Sequence, residues 1–163
     1  MEDINKVKSI SLWVFAIPFV ALNTCLILIT QFHDFFPNQE HVIGFTIPYI
    51  DGGASISRTA RVFPTYLIFK PAMFLTSYLL IRYWLWNKNI IHYFDHNSKY
   101  INKIIFFGIS SAILLTIHSI FLGIKFDYSI YKLFRRVVML LFIVFEIIAQ
   151  CYLVFTLYKI KDK

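Results

Sequence analysis

Residues Ile10–Thr30 read ISLWVFAIPFVALNTCLILIT, with no charged side chain among them. At roughly 1.5 Å of rise per residue this run is about 30 Å long as a helix, the depth of a bilayer's hydrocarbon core. Its apolar residues occupy every face instead of recurring on one, so its surroundings are lipid and not water. Lys6 and Lys8 precede it, as in a signal sequence. The run is too long for a signal h-region and no small-x-small cleavage site follows, which predicts a retained signal anchor. Pro18 is tolerated because membrane helices accept proline better than soluble ones.

Three similar runs follow along the chain. Val62–Ile81 is closed by Arg82, Tyr83, Trp84 and Trp86, the composition of a membrane–water interface. Ile104–Ile124 and Val137–Leu157 come next, the last preceded by Arg135 and Arg136. The expected fold is an all-α membrane protein, a bundle of about four transmembrane helices with spans near 10–30, 62–83, 104–124 and 137–157. One membrane domain accounts for residues 1–163, with a structured first outer loop at 31–61. Asp51-Gly52-Gly53 in that loop predicts a tight turn. Weak alternation over 42–50 predicts a short strand or hairpin.

Composition agrees with the runs. The chain is 58% hydrophobic and 15% charged, against the roughly 25% charged residues that a water-facing surface of this size uses. A soluble enzyme is thereby excluded. The formal charge of +7 would suggest nucleic acid in a soluble protein. Here the cations flank apolar runs, where they meet lipid phosphates, so membrane lipids are the expected partners and nucleic acid is not. Cys25 and Cys151 fall near opposite faces of the membrane, too far apart to pair.

Counting lysines and arginines sets the orientation. Lys6, Lys8, Arg82, Lys88, Lys99, Lys103, Lys159, Lys161 and Lys163 lie on one side. Arg58, Arg61, Lys125, Lys132, Arg135 and Arg136 lie on the other. The excess places both termini in the cytoplasm.

Ionisable and amide groups inside hydrocarbon turn toward the protein interior and find partners. Asn23, Lys70, His118, Glu146 and Gln150 are the intramembrane polar residues. Measured from the outer end of each run, Lys70 lies about 12 Å deep, Glu146 about 14 Å, Asn23 about 10 Å and His118 about 9 Å. Lys70 and Glu146 are thus expected level with each other, which predicts an ion pair, structural or functional. The alternative is a Lys70 that snorkels outward with a Glu146 that is protonated or bonded to a neighbour. Spacings of four (Glu146 and Gln150) and seven (Lys70 and Ser77, Asn23 and Thr30, Ser111 and His118) give each helix one polar stripe. Such stripes would together form an inward-facing seam. Gly108 and Ala112 make a small-xxx-small step suited to close helix packing.

His33, Asp34, Glu40 and His41 match no zinc spacing, so no metal and no cofactor is expected. No phosphate-binding glycine loop, H-E-x-x-H or G-x-S-x-G motif occurs, and no catalytic residue is assigned. Asp51, Arg58 and Arg61 form the candidate ligand site. The arginines either hold a lipid phosphate by bidentate bonds or pin the outer loop through Asp51.

Ile47-Pro48-Tyr49-Ile50-Asp51-Gly52-Gly53, then Arg61-Val62-Phe63, then Phe74-Leu75-Thr76 running to Ile81-Arg82-Tyr83, form a pattern along the outer loop and second span. It resembles the damage-regulated autophagy modulator (DRAM) family, with its relatives in GPI-anchor remodelling and phosphoinositide regulation. The resemblance covers roughly residues 44 to 160. Members have five or six spans, whereas this chain has four, and Leu133-Phe134-Arg135-Arg136 stands where relatives carry small residues. The resemblance implies a short DRAM-type protein that acts without catalysis in membrane or lipid organisation, with outer loop 31–61 as a surface for a protein partner. Two alternatives stand beside it: a lipid-modifying enzyme with its site at Lys70, His118 and Glu146, and a small transporter using Glu146 as a proton-coupled carboxylate.

Overall fold

A computed structural model describes residues 2–36, 47, 49–50, 59–95, 98–124 and 129–161. Among them are four long helices, α1 (Glu2–Gln31), α2 (Thr65–Phe94), α3 (Ile101–Phe121) and α4 (Ser129–Lys161), with a 3-10 turn at His33–Phe35. No strand occurs among the described residues. Most of the segment expected as a short strand or hairpin, and the Asp51-Gly52-Gly53 turn, lie outside them.

Three of these helices are long and apolar enough to cross a membrane, over Asp3–Gln31, Ile101–Phe121 and Ile130–Ile160. Their outward faces carry large apolar side chains that water would not cover, among them Leu12, Phe15 and Phe19 on α1 and Leu140, Ile143 and Ile147 on α4. α2 has 30 residues and is long enough, but Lys70, Arg82 and Lys88 make it more polar than the other three.

The helices run beyond the apolar stretches. α1 takes in Lys6 and Lys8, and α2 continues past Tyr83 to Phe94. α4 begins at Ser129, about two turns before Val137, so Arg135 and Arg136 are helical and not a flank. α3 stops at Phe121, short of the expected Ile124. Its end is built locally: Leu122 turns to extended backbone while its N–H still donates to His118 O at 2.9 Å. Gly123 then takes φ 92°, a conformation cheap only for glycine.

The helices alternate in direction. Lys6 at the start of α1 meets Trp86 near the end of α2, and Ile91 near the end of α2 packs with Ile101 at the start of α3. At the opposite end Cys25, Phe69, Met73, Leu115 and Leu122 share a core. α1 packs on α2, α2 on α3 and α3 on α4, whereas α2 and α4 touch only lightly. The arrangement is a row in which each helix leans on its chain neighbour.

α2 and α3 meet closely at Gly108. A Cβ there would fall no more than 2.7 Å from three atoms of the Trp84 indole, so the small-xxx-small step admits a tryptophan face. Trp84, expected among interfacial aromatics, is instead fully buried with Leu80, Ile104 and Ala149 around it. The other half of the step, Ala112, is also buried and its carbonyl accepts from Ser77 Oγ.

Candidate functional site

The polar stripes of α2, α3 and α4 face a neighbouring helix, that of α1 bonds its own backbone and the outer loop, and the four do not meet in one common seam. On α2, Lys70 and Ser77 both turn to α3. Ser77 Oγ reaches Ala112 O and lies 2.6 Å from Thr116 Oγ1. Lys70 Nζ donates to Ile120 O at 3.5 Å and lies over the Tyr66 ring. On α3, Ser111 and His118 both turn to α4. On α1, Asn23 Nδ2 donates to Phe19 O at 2.7 Å and its Oδ1 accepts from Tyr49 Oη at 3.1 Å. The outer loop is thereby tied to α1. Thr30 returns its hydroxyl to Leu26 O.

The expected Lys70–Glu146 ion pair is not formed. Both oxygens of Glu146 are engaged elsewhere: Ser111 Oγ donates to Oε2 at 2.7 Å and Gln150 Nε2 donates to Oε1 at 2.9 Å. Two geometrical facts separate the pair. α3 stands between α2 and α4, and the two residues sit at different levels. Lys70 is level with Ile120, whereas Glu146 is level with Ser111, about 14 Å deeper along α3. The early start of α4 carries Glu146 to the middle of the helix row. Glu146 is instead bonded to its neighbours, as the alternative reading had it, and Lys70 reaches toward the end of α3.

Around Glu146 three helices contribute polar groups. The Tyr83 phenol of α2 lies within electrostatic reach of Glu146, Gln150 and Asn87. Asn87 is buried and donates to Tyr83 O at 2.9 Å. Ser111 Oγ also lies 2.8 Å from Gly108 O. Trp84, one residue from Tyr83, keeps its indole Nε1 buried without an acceptor. This knot is small and packed, and its chemistry is that of a hydrogen-bonded helix contact in a low-dielectric interior.

A second polar site lies at the far end of α3. Tyr131 Oη donates to Phe121 O at 2.6 Å, and the Arg135 guanidinium rests over the Tyr131 ring at 5.7 Å. His118 lies within electrostatic reach of Arg135. His118 Nδ1 and Arg135 Nε are both buried without a hydrogen-bond partner. Sequence reasoning gave His118 but treated Arg135 as a charge flanking a span. Its place inside a helix, one turn after Tyr131, was the missing signal.

The candidate ligand site of the outer loop is only partly described. Asp51 and Arg58 lie outside the described residues. Arg61 is exposed, and its carbonyl approaches Gly123, where a Cβ would be 3.7 Å from it. Cys25 Sγ, 3.4 Å from Thr65 O, links α1 to the start of α2. Both cysteines are free thiols.

Basic side chains at the other end rest on aromatic rings. Lys6 Nζ and the Arg82 guanidinium lie 4.5 and 5.8 Å from the Trp86 ring. Lys159 lies over Phe155 and Tyr100 at 4.7 and 5.3 Å, and Lys103 over Tyr152 at 5.6 Å. Along α1 a shallow apolar groove of about 290 Å³ is lined by Trp13, Ile17, Val20, Thr24 and Ile68. Compared with family models, curated proteins and solved structures, the chain matches none.

Proposed function

We propose that this chain is a four-span membrane protein with both termini in the cytoplasm, acting without catalysis in lipid organisation or regulation as a short DRAM-type member. The alternation of the helices supports a fourth crossing by α2. α1 and α3 run in the same direction, so if both cross the bilayer the chain between them has to return through it. The charges of α2 are accommodated along that path. Lys70 reaches a carbonyl at the end of α3, and Arg82 lies beside Trp86 at the opposite end.

One observation carries the non-catalytic reading: the Glu146 carboxylate is held on both oxygens by Ser111 and Gln150. A group that relays protons or attacks a substrate has to face its reactant. Glu146 faces its own neighbours, which suits a bond that fixes α3 against α4. The apolar groove on α1 and the cation-on-aromatic pairs at the cytoplasmic end supply surfaces suited to acyl chains and head groups.

The test uses the full chain reconstituted in phospholipid vesicles, wild type and Glu146→Gln. Proton flux under a pH gradient and lipid composition by mass spectrometry are expected to match protein-free vesicles for both. Flux in the wild type that disappears in Glu146→Gln makes the protein a transporter. A new lipid product that disappears in Glu146→Gln or His118→Gln, with folding intact, makes it an enzyme.

A further inference from the structure

α1 packs on α2, and the crevice between them changes character from one end to the other. At the end that carries the N-terminus, Lys6 Nζ and the Arg82 guanidinium lie 4.5 and 5.8 Å from the same Trp86 ring, one cation from each helix. Further along, Trp13, Ala16, Ile17, Val20 and Thr24 of α1 and Ile68 of α2 line the apolar groove of about 290 Å³. That is close to the roughly 300 Å³ at which ligand pockets begin.

The cations and the groove are parts of one surface. At roughly 100° per residue, Trp13, Ile17 and Thr24 fall within about 20° of the line through Lys6. Trp86 and Ile68 are eighteen residues apart, five whole turns, and so share a face of α2. Lys6 and Thr24 are eighteen apart as well. In this antiparallel pair Lys6 therefore meets Trp86 at one end, and Thr24 shares the groove with Ile68 at the other. Lys8 and Lys88 turn away, because a step of two residues rotates the side chain by roughly 200°. Glu2 and Asp3 lie about 5 Å further out than Lys6, so an anion at the mouth of the groove meets the two cations first.

From this geometry we infer that the α1–α2 crevice binds one anionic phospholipid, with its phosphate between Lys6 and Arg82 and an acyl chain in the groove. The levels agree with that occupant. Lys6 stands four residues before the charge-free run that starts at Ile10, about 6 Å outside it, and Trp86 stands five residues past Ile81, about 7 Å outside its own run. The head-group layer extends roughly 5–7 Å beyond the hydrocarbon core on each side. Trp13 is already inside the run, and from Trp13 to Thr24 is about 16 Å of helix, close to the ~15 Å depth of one leaflet. Arg82 supplies a planar fork for phosphate oxygens and Lys6 a point charge. The site deepens the lipid reading given above and rests on α1 and α2 crossing the bilayer, and the two fail differently. A chain monodisperse in buffer without detergent ends the membrane reading, whereas lipid binding without the selectivity below ends only this inference.

The experiment titrates the purified full chain in non-ionic detergent with dioleoyl phosphatidylglycerol, dioleoyl phosphatidylcholine or the short-chain dihexanoyl phosphatidylglycerol, read by native mass spectrometry and thermal melting. Dioleoyl phosphatidylglycerol is expected to be retained most strongly and to raise the melting temperature. Equal retention of the two dioleoyl lipids would remove the head-group contact, and equal retention of the two phosphatidylglycerols would remove the groove; either overturns the site. Lys6→Gln and Arg82→Gln are each expected to weaken dioleoyl phosphatidylglycerol about fivefold, the size of one cation's attraction to an anionic lipid surface. Lys8→Gln and Lys88→Gln, with the same change in charge on the far faces, are expected to stay within about twofold. Losses as large from this second pair would reduce the effect to diffuse charge and overturn the site. Val20→Trp, at an exposed position, fills the groove and is expected to weaken both dioleoyl lipids. Undiminished binding in that variant places the acyl chain elsewhere and overturns the site as well. The comparison of the three lipids on the wild-type chain decides the matter even where a variant fails to fold.

Discussion

Ser111 Oγ donates to Glu146 Oε2 at 2.7 Å, joining the middle of α3 to α4. Interhelical hydrogen bonds in membranes are worth about 0.6–2 kcal/mol. Ser111→Ala is expected to lower stability by about 1 kcal/mol, and Glu146→Ala by about 2 kcal/mol because Gln150 also loses its acceptor. The double variant should fall short of the sum of the singles, since both remove the same bond. Reversible unfolding in mixed micelles measures all three, and strict additivity would mean that the two side chains do not interact.

Gly108 faces the Trp84 indole with no room for a methyl group. Gly108→Ala is expected to destabilise by about 1–3 kcal/mol, the usual cost of overpacking a filled core. Trp84→Leu in the same chain should recover part of the loss by vacating the space a Cβ needs. Melting temperatures of the single and double variants test this, and a Gly108→Ala protein as stable as wild type would place the indole elsewhere.

A crossing by α2 fixes which connections share a side. Cysteines introduced at Ser98 and Ile124, in a Cys25→Ser, Cys151→Ser background, lie at opposite ends of α3. A membrane-impermeant thiol reagent added to sealed vesicles should label one from outside and the other only after permeabilisation. Ser98 is expected to behave like the termini. Labelling of both from the same side would remove α3 from the list of crossings.

Lys159 lies 4.7 Å from the Phe155 ring centre and 5.3 Å from that of Tyr100. Tyr100 also stacks on Tyr152 at 5.7 Å. Lys159→Met, which keeps an apolar stem but no charge, is expected to cost about 0.5–1 kcal/mol, the size of an exposed cation–aromatic contact. Tyr100→Leu should cost more, because it removes the ring stack as well. Denaturant titration compares them, and an unchanged Lys159→Met midpoint would assign all of the contact to ring packing.

The apolar runs of α1, α3 and α4 were legible because a charge-free stretch as long as a bilayer is deep has few other uses. Helix ends were not, because polar turns such as Ser129–Arg136 fold as helix when a neighbouring helix supports them. That displacement of α4 made Glu146 look level with Lys70. The polar stripes were legible as stripes, since spacings of four and seven fix a helix face. Which neighbour each stripe meets depends on how the helices are ordered in space. A row and a closed bundle present the same periodicity along the chain, so nothing in the spacing of Lys70 and Ser77 said that their partner is α3. Trp84 was misplaced for a similar reason: an aromatic beside an arginine has interfacial composition, and only the bare face of Gly108 draws it inside.

Because each helix rests on the one immediately before it, the interhelix contacts that order this protein nearly all join helices that are neighbours along the chain. α2 can settle against α1 while α3 is still being synthesised, and α4 closes on a hairpin partner made just ahead of it. Folding of this kind proceeds pairwise along the chain, each new helix meeting a partner that has already been made. Lengthening the 95–100 connection should therefore slow assembly of the second half while leaving insertion of α1 and α2 untouched.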